Sequence, residues 1–141
     1  MSQASAIAAV EAMWTANYAG SLPVVWHHNS RDAAPSATTD PVWLHLAVEF
    51  ADEVVVAFGG GRFNNERRLR GSVVIRAIAR RGYGEAGLLA ALDAAVAVFR
   101  SRRTGDLSFI GDMVMQEPGA SADGIWWVRS AFATFEYRFR G

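Results

Sequence analysis

One stretch of the sequence, from Pro41 to Arg81, constrains the fold more than any other. At its start, apolar side chains recur at every second position: Val42, Leu44, Leu46, Val48 and Phe50. A period of two is typical of a strand with one buried face. A β-branched run at residues 54–58 extends this strand, and Leu69 to Ala79 is predicted as a second one. We therefore expect a long hairpin.

The segment between the two strands, Gly59 to Arg68, is rich in glycine and in charge. Its Gly59-Gly60-Gly61-Arg62 run has a superficial likeness to a phosphate-binding loop. The Gly-Lys-Ser/Thr ending is missing, however, and a strand follows instead of a helix, so neither an amide cradle nor a helix dipole is available. We predict instead that this tip is an arm toward a neighbouring subunit, flexible in isolation and ordered only by that neighbour.

Two amphipathic helices are predicted outside the hairpin. The first covers residues 5–18 and has one large aromatic face that includes Trp14. The second, Glu85 to Arg103, has an apolar stripe and many alanines, which favour a helix. Its last turn is expected to hold arginines, which complement the helix dipole.

The remaining segments read as strands and turns. Residues 22–26 form a short extended segment, 107–115 one or two strands, 117–123 a turn, and 124–139 a long final strand. Strands grouped apart from helices predict an α+β fold, a mostly antiparallel sheet with a long hairpin and both helices packed on it. At 141 residues, the chain is expected to be one domain, 1–141.

Composition excludes several classes of protein. The chain has no cysteine, so disulfides and thiolate metal sites are excluded. No apolar run reaches the roughly 18 residues that span a bilayer, and the N-terminus has no basic segment typical of a signal peptide. We therefore expect a chain that folds in the cytosol, without a membrane partner.

Charge is unevenly distributed along a chain whose net charge is zero. Residues 1–60 carry one arginine against six acids, residues 61–103 ten arginines against three acids, and residues 104–141 three arginines against five acids. Such segregation can place an acidic surface of one copy against a basic surface of another. The alternative is that these charges mix on one solvated surface.

A search for reactive groups predicts no catalytic, cofactor-binding or metal site. His27 and His28 are adjacent, so an extended backbone turns them to opposite sides. His45 and Glu49 could act as an acid–base pair, but a pair of exposed strand residues is the commoner explanation. No serine or cysteine has the context of a nucleophile.

Nucleic-acid binding is the alternative of a different class. Seven arginines lie between Arg62 and Arg81, with Phe63 among them, and such a cluster can follow phosphates while an aromatic ring stacks on bases. Against this, the chain is neutral and shows no common nucleic-acid-binding motif. Arg70, Arg76 and Arg80 are expected on one strand face, able to pair with Glu49 and His45 across the hairpin.

Five segments carry a resemblance to a known family. They are Trp14-Thr15-Ala16-Asn17 at a helix end, Pro23-Val24-Val25-Trp26 with Asn29, the strand Trp43 to Val48 leading to Arg70-Gly71-Ser72-Val73-Val74-Ile75, the helix Gly84 to Arg100, and Phe135-Glu136-Tyr137-Arg138-Phe139. Over nearly its full length the chain resembles the tail terminator proteins of long-tailed bacteriophages and of related gene transfer agents.

This resemblance implies a structural protein, not an enzyme. Tail terminators are small α+β subunits whose six-membered ring ends the tail tube and joins it to the head or neck. The expected partners are further copies of the chain, the tail tube protein and a head-completion or neck protein. DNA would pass through the lumen without sequence-specific binding. The expected location is the virion tail, assembled in the bacterial cytoplasm; another connector or tube component of the same particle is the alternative.

In such a ring, the charged residues of the hairpin are the expected contacts between subunits. We expect Asp52 and Glu53 of one subunit to meet arginines of the next, because one weak contact repeated around a closed ring is sufficient. The predicted interface residues are Asp52, Glu53, Arg62, Phe63, Arg67, Arg68 and Arg70.

Overall fold

The long hairpin forms the centre of a sheet in a computed structural model that describes residues 2–28, 42–58, 64–80, 82–110, 114–115, 119–120 and 124–141. These residues form two helices and eight strands. In chain order they are α1 (Ser2–Asn17), β1 (Val24–Trp26), β2 (Val42–Ala57), β3 (Glu66–Arg80), α2 (Glu85–Phe99), β4 (Arg103–Thr104), β5 (Leu107–Phe109), β6 (Val114–Met115), β7 (Gly119–Ala120) and β8 (Trp126–Arg140).

The sheet is built on three long antiparallel strands. β2 pairs with β3 from Val42↔Ala79 to Ala57↔Glu66, and β8 pairs with β3 along its entire length. The strand order is β1-β2-β3-β8-β5-β4, with β6 and β7 also paired to β8. Only the short β1 runs parallel to its neighbour among the described strands. This confirms the α+β, mostly antiparallel fold with a long hairpin.

Both helices pack on one face of the sheet, as predicted. Val10 and Trp14 of α1 and Leu92 and Phe99 of α2 are buried against alternate residues of the three long strands. The ring centroids of Trp14 and Phe99 are 5.9 Å apart, which joins the two helices. Beyond Phe50 in β2 and before Leu69 in β3, no described strand residue of the hairpin belongs to this core.

A β-bulge changes the pattern of β2 halfway along. Phe50 lies opposite Gly71, whereas Asp52 lies opposite Arg70, so Ala51 is an extra residue. A second register shift follows between Val55 and Ala57. Because each extra residue reverses which side chains face the core, the alternation read from the first nine residues does not continue to the end of the strand.

Two predicted boundaries were wrong. Helix α2 ends at Phe99 rather than Arg103, because Arg100 leaves the helical conformation with ψ 118° and Ser101 has φ 53°. The hairpin tip is shorter than predicted, since β3 begins at Glu66 and includes Arg67 and Arg68. Pairing with both β2 and β8 extends this strand into the charged segment.

The predicted turn at 117–123 is also modified, since Gly119 and Ala120 pair with Val128 and Trp127 of β8 as strand β7. Residues 29–41, and Gly59 to Phe63 of the predicted arm, lie outside the described residues. Within the described part of the chain, no helix combines the length and apolar character that a membrane span requires.

Candidate interaction surface

The sheet face opposite the helices, which we call the outer face, changes character along its length. Near the start of β2 it is apolar, with the rings of Trp43 and Trp126 meeting edge to face at 6.3 Å. Further along this face Val74, opposite Ala47 and Phe132, is almost fully buried. At the other end the face is charged. We call residues 51–58, 64–70 and 136–141 the distal end of the sheet.

Asp52 and Arg70 form a two-point ion pair at the distal end. Arg70 Nε donates to Asp52 Oδ1 at 2.8 Å, and the Arg70 Nη2 group contacts Asp52 Oδ2. The hydrogen bond from Arg70 lowers the pKa of Asp52, and the same hydrogen bond raises the pKa of Arg70. The bulge creates this pair, because regular pairing after Phe50↔Gly71 would place Ala51 opposite Arg70, whereas the extra residue brings Asp52 there.

Arg67 ties the hairpin to the end of the chain. Its Nη1 group donates to Glu53 Oε1 at 3.1 Å, and its Nε donates to the backbone oxygen of Gly141 at 2.9 Å. The Gly141 amide in turn donates to the Asn65 oxygen at 3.0 Å. These bonds fasten β3 to its neighbours on both sides.

Two further ion pairs link β3 to β8. Arg68 Nε lies 3.4 Å from Glu136 Oε1, without the geometry of a hydrogen bond, and Arg138 Nη1 donates to Glu66 Oε1 at 3.1 Å. The structure therefore brings five predicted interface residues, Asp52, Glu53, Arg67, Arg68 and Arg70, to one end of the sheet. It pairs each of them within the subunit. Arg62 and Phe63 lie outside the described residues.

Exposed apolar side chains accompany these charges. Val54 and Val56 are 40% exposed and Phe58 is 84% exposed. The run at 54–58 was visible in the sequence as part of a strand, but its exposure was not foreseen. It follows because this part of β2 lies beyond the strand residues that pack against the helices. Large exposed apolar groups in one place are typical of interaction surfaces.

The same segment of β2 lies beyond the short strand β1. β1 pairs with β2 only at residues 44–46, and the His27 amide donates to the Leu46 oxygen at 2.8 Å. Among the described residues, no strand lies beside residues 48–57 of β2 on the side away from β3. Unpaired backbone groups on such an edge can pair with another chain.

His45 lies beside Arg76 and His27 on the outer face. Of the three arginines predicted to face Glu49 and His45, Arg76 is the cross-strand neighbour of His45, with Arg76 Nη1 3.5 Å from His45 Nδ1. The ring of His27 is 5.5 Å away. Burial lowers the pKa of His45, and the charge of Arg76 and the proximity of His27 lower it further. The neutral form of the His45 imidazole is thus favoured. His28 does not belong to this group, since its Nε2 contacts Glu11 Oε1 at 2.5 Å.

Concave sites in the described part of the chain are shallow and lack a catalytic arrangement. One cavity of about 360 Å³ lies between Arg103, Phe109 and Arg138, and another of about 370 Å³ lies between Tyr83, Leu88 and Trp127. Among the residues described, no three or more histidine, aspartate or glutamate side chains are grouped as metal ligands would be. The distal end is therefore the stronger candidate for a functional surface.

Comparison with known proteins gives the fold and nothing further. No family model matches the chain. No curated protein matches it either. One similar solved structure has a TM-score of 0.67 at 19% identity, covering 99% of this chain and 97% of its own. That structure's name states no function, and at this identity the likeness concerns the fold alone.

Proposed function

We propose that this protein is a structural subunit of a phage-type particle, a tail terminator-like protein whose copies form a ring at the end of the tail tube. The ring, expected to have six members, stops tube growth and offers its other side to a head-completion or neck protein. In this role the protein is not an enzyme and needs no cofactor. The particle belongs to a bacteriophage or a gene transfer agent.

The observation that carries the proposal is the distal end of the sheet. Three apolar side chains, Val54, Val56 and Phe58, are exposed there beside a strand edge with no described partner. Such exposure is unfavourable for an isolated subunit. In an assembly, a neighbouring copy can complete the sheet and cover these apolar groups. The resemblance of the sequence to tail terminators supports a ring as the kind of assembly.

Another connector or tube component of the same particle is the runner-up, because the same surface would serve any ring in the tail. The nucleic-acid-binding alternative is weaker. Arg67, Arg68 and Arg70 are each paired with a carboxylate of the same subunit. Binding to phosphates would require these pairs to exchange partners. We therefore propose that DNA passes through the ring without specific contacts.

The first experiment removes the gene from the particle-producing strain and images the tails. A terminator predicts tubes of uncontrolled length without attached heads, which the added protein corrects. Tails of normal length that only fail to join heads would favour another neck component. Missing tubes would favour a tube component.

A second experiment tests the exposed apolar surface in the purified protein. Phe58→Ser combined with Val56→Ser is expected to reduce ring formation in native mass spectrometry without lowering the free energy of unfolding. Tyr83→Ser is the matched control, since Tyr83 is 47% exposed but lies at the other end of β3. A wild-type chain that stays monomeric at high concentration, and also fails to join tail tubes, would exclude the ring.

A further inference from the structure

The edges of the sheet differ in charge and are aligned in a way that suits head-to-tail contact between copies. One cross-strand row runs the full width of the sheet on the outer face. Its members are successive register partners, in the order Asp52, Arg70, Glu136, Ser108, Arg103. The row alternates in sign where it is charged and is acidic at the β2 edge and basic at the β4 edge.

Strand direction permits this row to continue into a second copy. Each step from β2 through β3, β8 and β5 to β4 is antiparallel, so β4 runs in the same direction as β2. A neighbouring copy can therefore place its β2 beside β4 without reversing the sheet. That is the heterologous contact required in a closed ring of identical subunits.

Charged groups at both edges can still form further ion pairs. Arg103 and Thr104 are exposed, and Arg103 forms no ion pair with another described residue. Asp52 already accepts two contacts from Arg70, but a carboxylate has about four acceptor positions, so it can bind a second arginine. Contact between two β2 edges is disfavoured, because it would bring Asp52 and Glu53 of one copy near those of the other.

We propose that the β2 edge of one subunit pairs with the β4 edge of the next, with Asp52 beside Arg103 and Glu53 beside Thr104. The sheet then continues through the ring, and the alternating row of charges is unbroken from copy to copy. This inference rests on the proposed ring and names its contact. It also gives the acidic edge predicted from the sequence a specific partner, an arginine outside the hairpin.

The absence of native cysteine allows a direct test by disulfide cross-linking. Neighbouring strands lie about 4.7–4.9 Å apart, which is within the Cα separation that a disulfide can span. Glu53→Cys and Thr104→Cys are combined in one chain and oxidised at assembling concentration. We expect a ladder of covalent oligomers under denaturing conditions. Asp93→Cys with Thr104→Cys is the control, because Asp93 lies exposed on α2 and is expected to give no ladder.

Native mass spectrometry of the same samples separates the two proposals. A ring without the Glu53–Thr104 cross-link would leave the proposed function standing and overturn this contact. A chain that remains monomeric alone and beside tail tubes would overturn both.

A charge reversal gives an independent readout that requires no new bond. Arg103→Glu is expected to raise the concentration for half assembly by about tenfold. The new carboxylate at position 103 would then lie beside Asp52 of the next copy at every contact in the ring. Arg100→Glu makes the same charge change on a nearby exposed residue outside the row. An equal effect of both variants would contradict the aligned row, as would no effect of either.

Discussion

At the scale of single residues, Gly71 determines how closely the long strands pack. Gly71 lies opposite Phe50 on one side and Phe135 on the other, and those two rings meet edge to face at 6.3 Å. A Cβ atom at Gly71 would contact the Glu49 backbone oxygen and lie 2.8 Å from Cζ of Phe135. The absence of a side chain at this position therefore permits the aromatic contact beside the bulge.

Gly71→Ala is expected to destabilise the fold by roughly 1–3 kcal/mol, because the backbone oxygen cannot move away as a flexible side chain would. Urea denaturation measures this as a lower midpoint with an unchanged slope. Gly119→Ala is the control, since no described atom lies within 4 Å of where its Cβ would be and its φ is not positive. Equal stability of the two variants would contradict the close approach.

His45 predicts a pH dependence of stability. Its folded-state pKa is below the ordinary 6.5, so the unfolded chain takes up a proton first as the solution is acidified. Its contribution is therefore fully present above pH 6.5 and is lost as the pH falls from there through the folded-state pKa. The free energy of unfolding of the wild type should decrease more steeply in this window than that of His45→Gln.

Arg76→Gln tests the cause of the lowered pKa. Removal of the guanidinium 3.5 Å from His45 Nδ1 should raise the pKa of His45 toward its ordinary value, measured by NMR titration of the ring proton. Burial, the larger cause, would remain. An unchanged titration would mean that Arg76 is not felt by the imidazole.

At the scale of elements, the ends of helices and strands were predicted least accurately from the sequence. The arginines predicted in the last turn of α2 lie beyond it, but Arg102 turns back. Its Nε donates to the Val98 oxygen at 2.8 Å, and its Nη1 group donates to Asn17 Oδ1 at 2.7 Å. One side chain thus caps α2 and joins it to the end of α1, an arrangement that depends on the two helix ends meeting in space.

Arg102→Ala should lower the free energy of unfolding by roughly 1–3 kcal/mol, because two hydrogen bonds from a charged donor are lost in a partly buried place. Arg100→Ala, at an exposed neighbour, should change it by less than about 0.5 kcal/mol. Thermal denaturation at a concentration below assembly measures both. A similar loss in the two variants would show that general charge near the helix end, not this bridge, is responsible.

At the scale of the whole molecule, the segregated charges of the sequence form ion pairs within the subunit, and we propose that they also form pairs between subunits. Within the subunit, the basic strand β3 lies between β2 and β8 and binds acids on both of them. Between subunits, the proposed contact uses what remains at the two edges. Self-association is therefore expected to depend on a small number of exposed charges.

Salt should weaken assembly while leaving the fold intact. Between about 0.05 M and about 0.5 M NaCl, the concentration for half assembly is expected to rise by roughly tenfold, because exposed charge pairs are screened. Light scattering measures assembly, and circular dichroism at the same salt concentrations reports the fold. Arg103→Ala should show a smaller dependence. Assembly that strengthens with salt would show that Val54, Val56 and Phe58 dominate the contact instead.

The sequence by itself determined the α+β class, the long hairpin, both helices and their buried stripes. These follow from periods of two and 3.6 residues, which local backbone geometry imposes on any chain. It also predicted that arginines of β3 could pair with His45 across the hairpin, because the first half of β2 is regular, but only the strand register decided that this arginine is Arg76.

Only the tertiary structure decided which residues the charged side chains pair with, and which part of β2 has no described strand on the side away from β3. Ala51 is an extra residue because Phe50 and Asp52 are both held by β3, and no local pattern indicates this shift. The shift places Asp52 instead of Ala51 opposite Arg70, while Glu49, predicted as a partner for the arginines of β3, lies opposite Ser72. The alternating row from Asp52 to Arg103 joins residues that are far apart in the chain, so it exists only once the strand register is set.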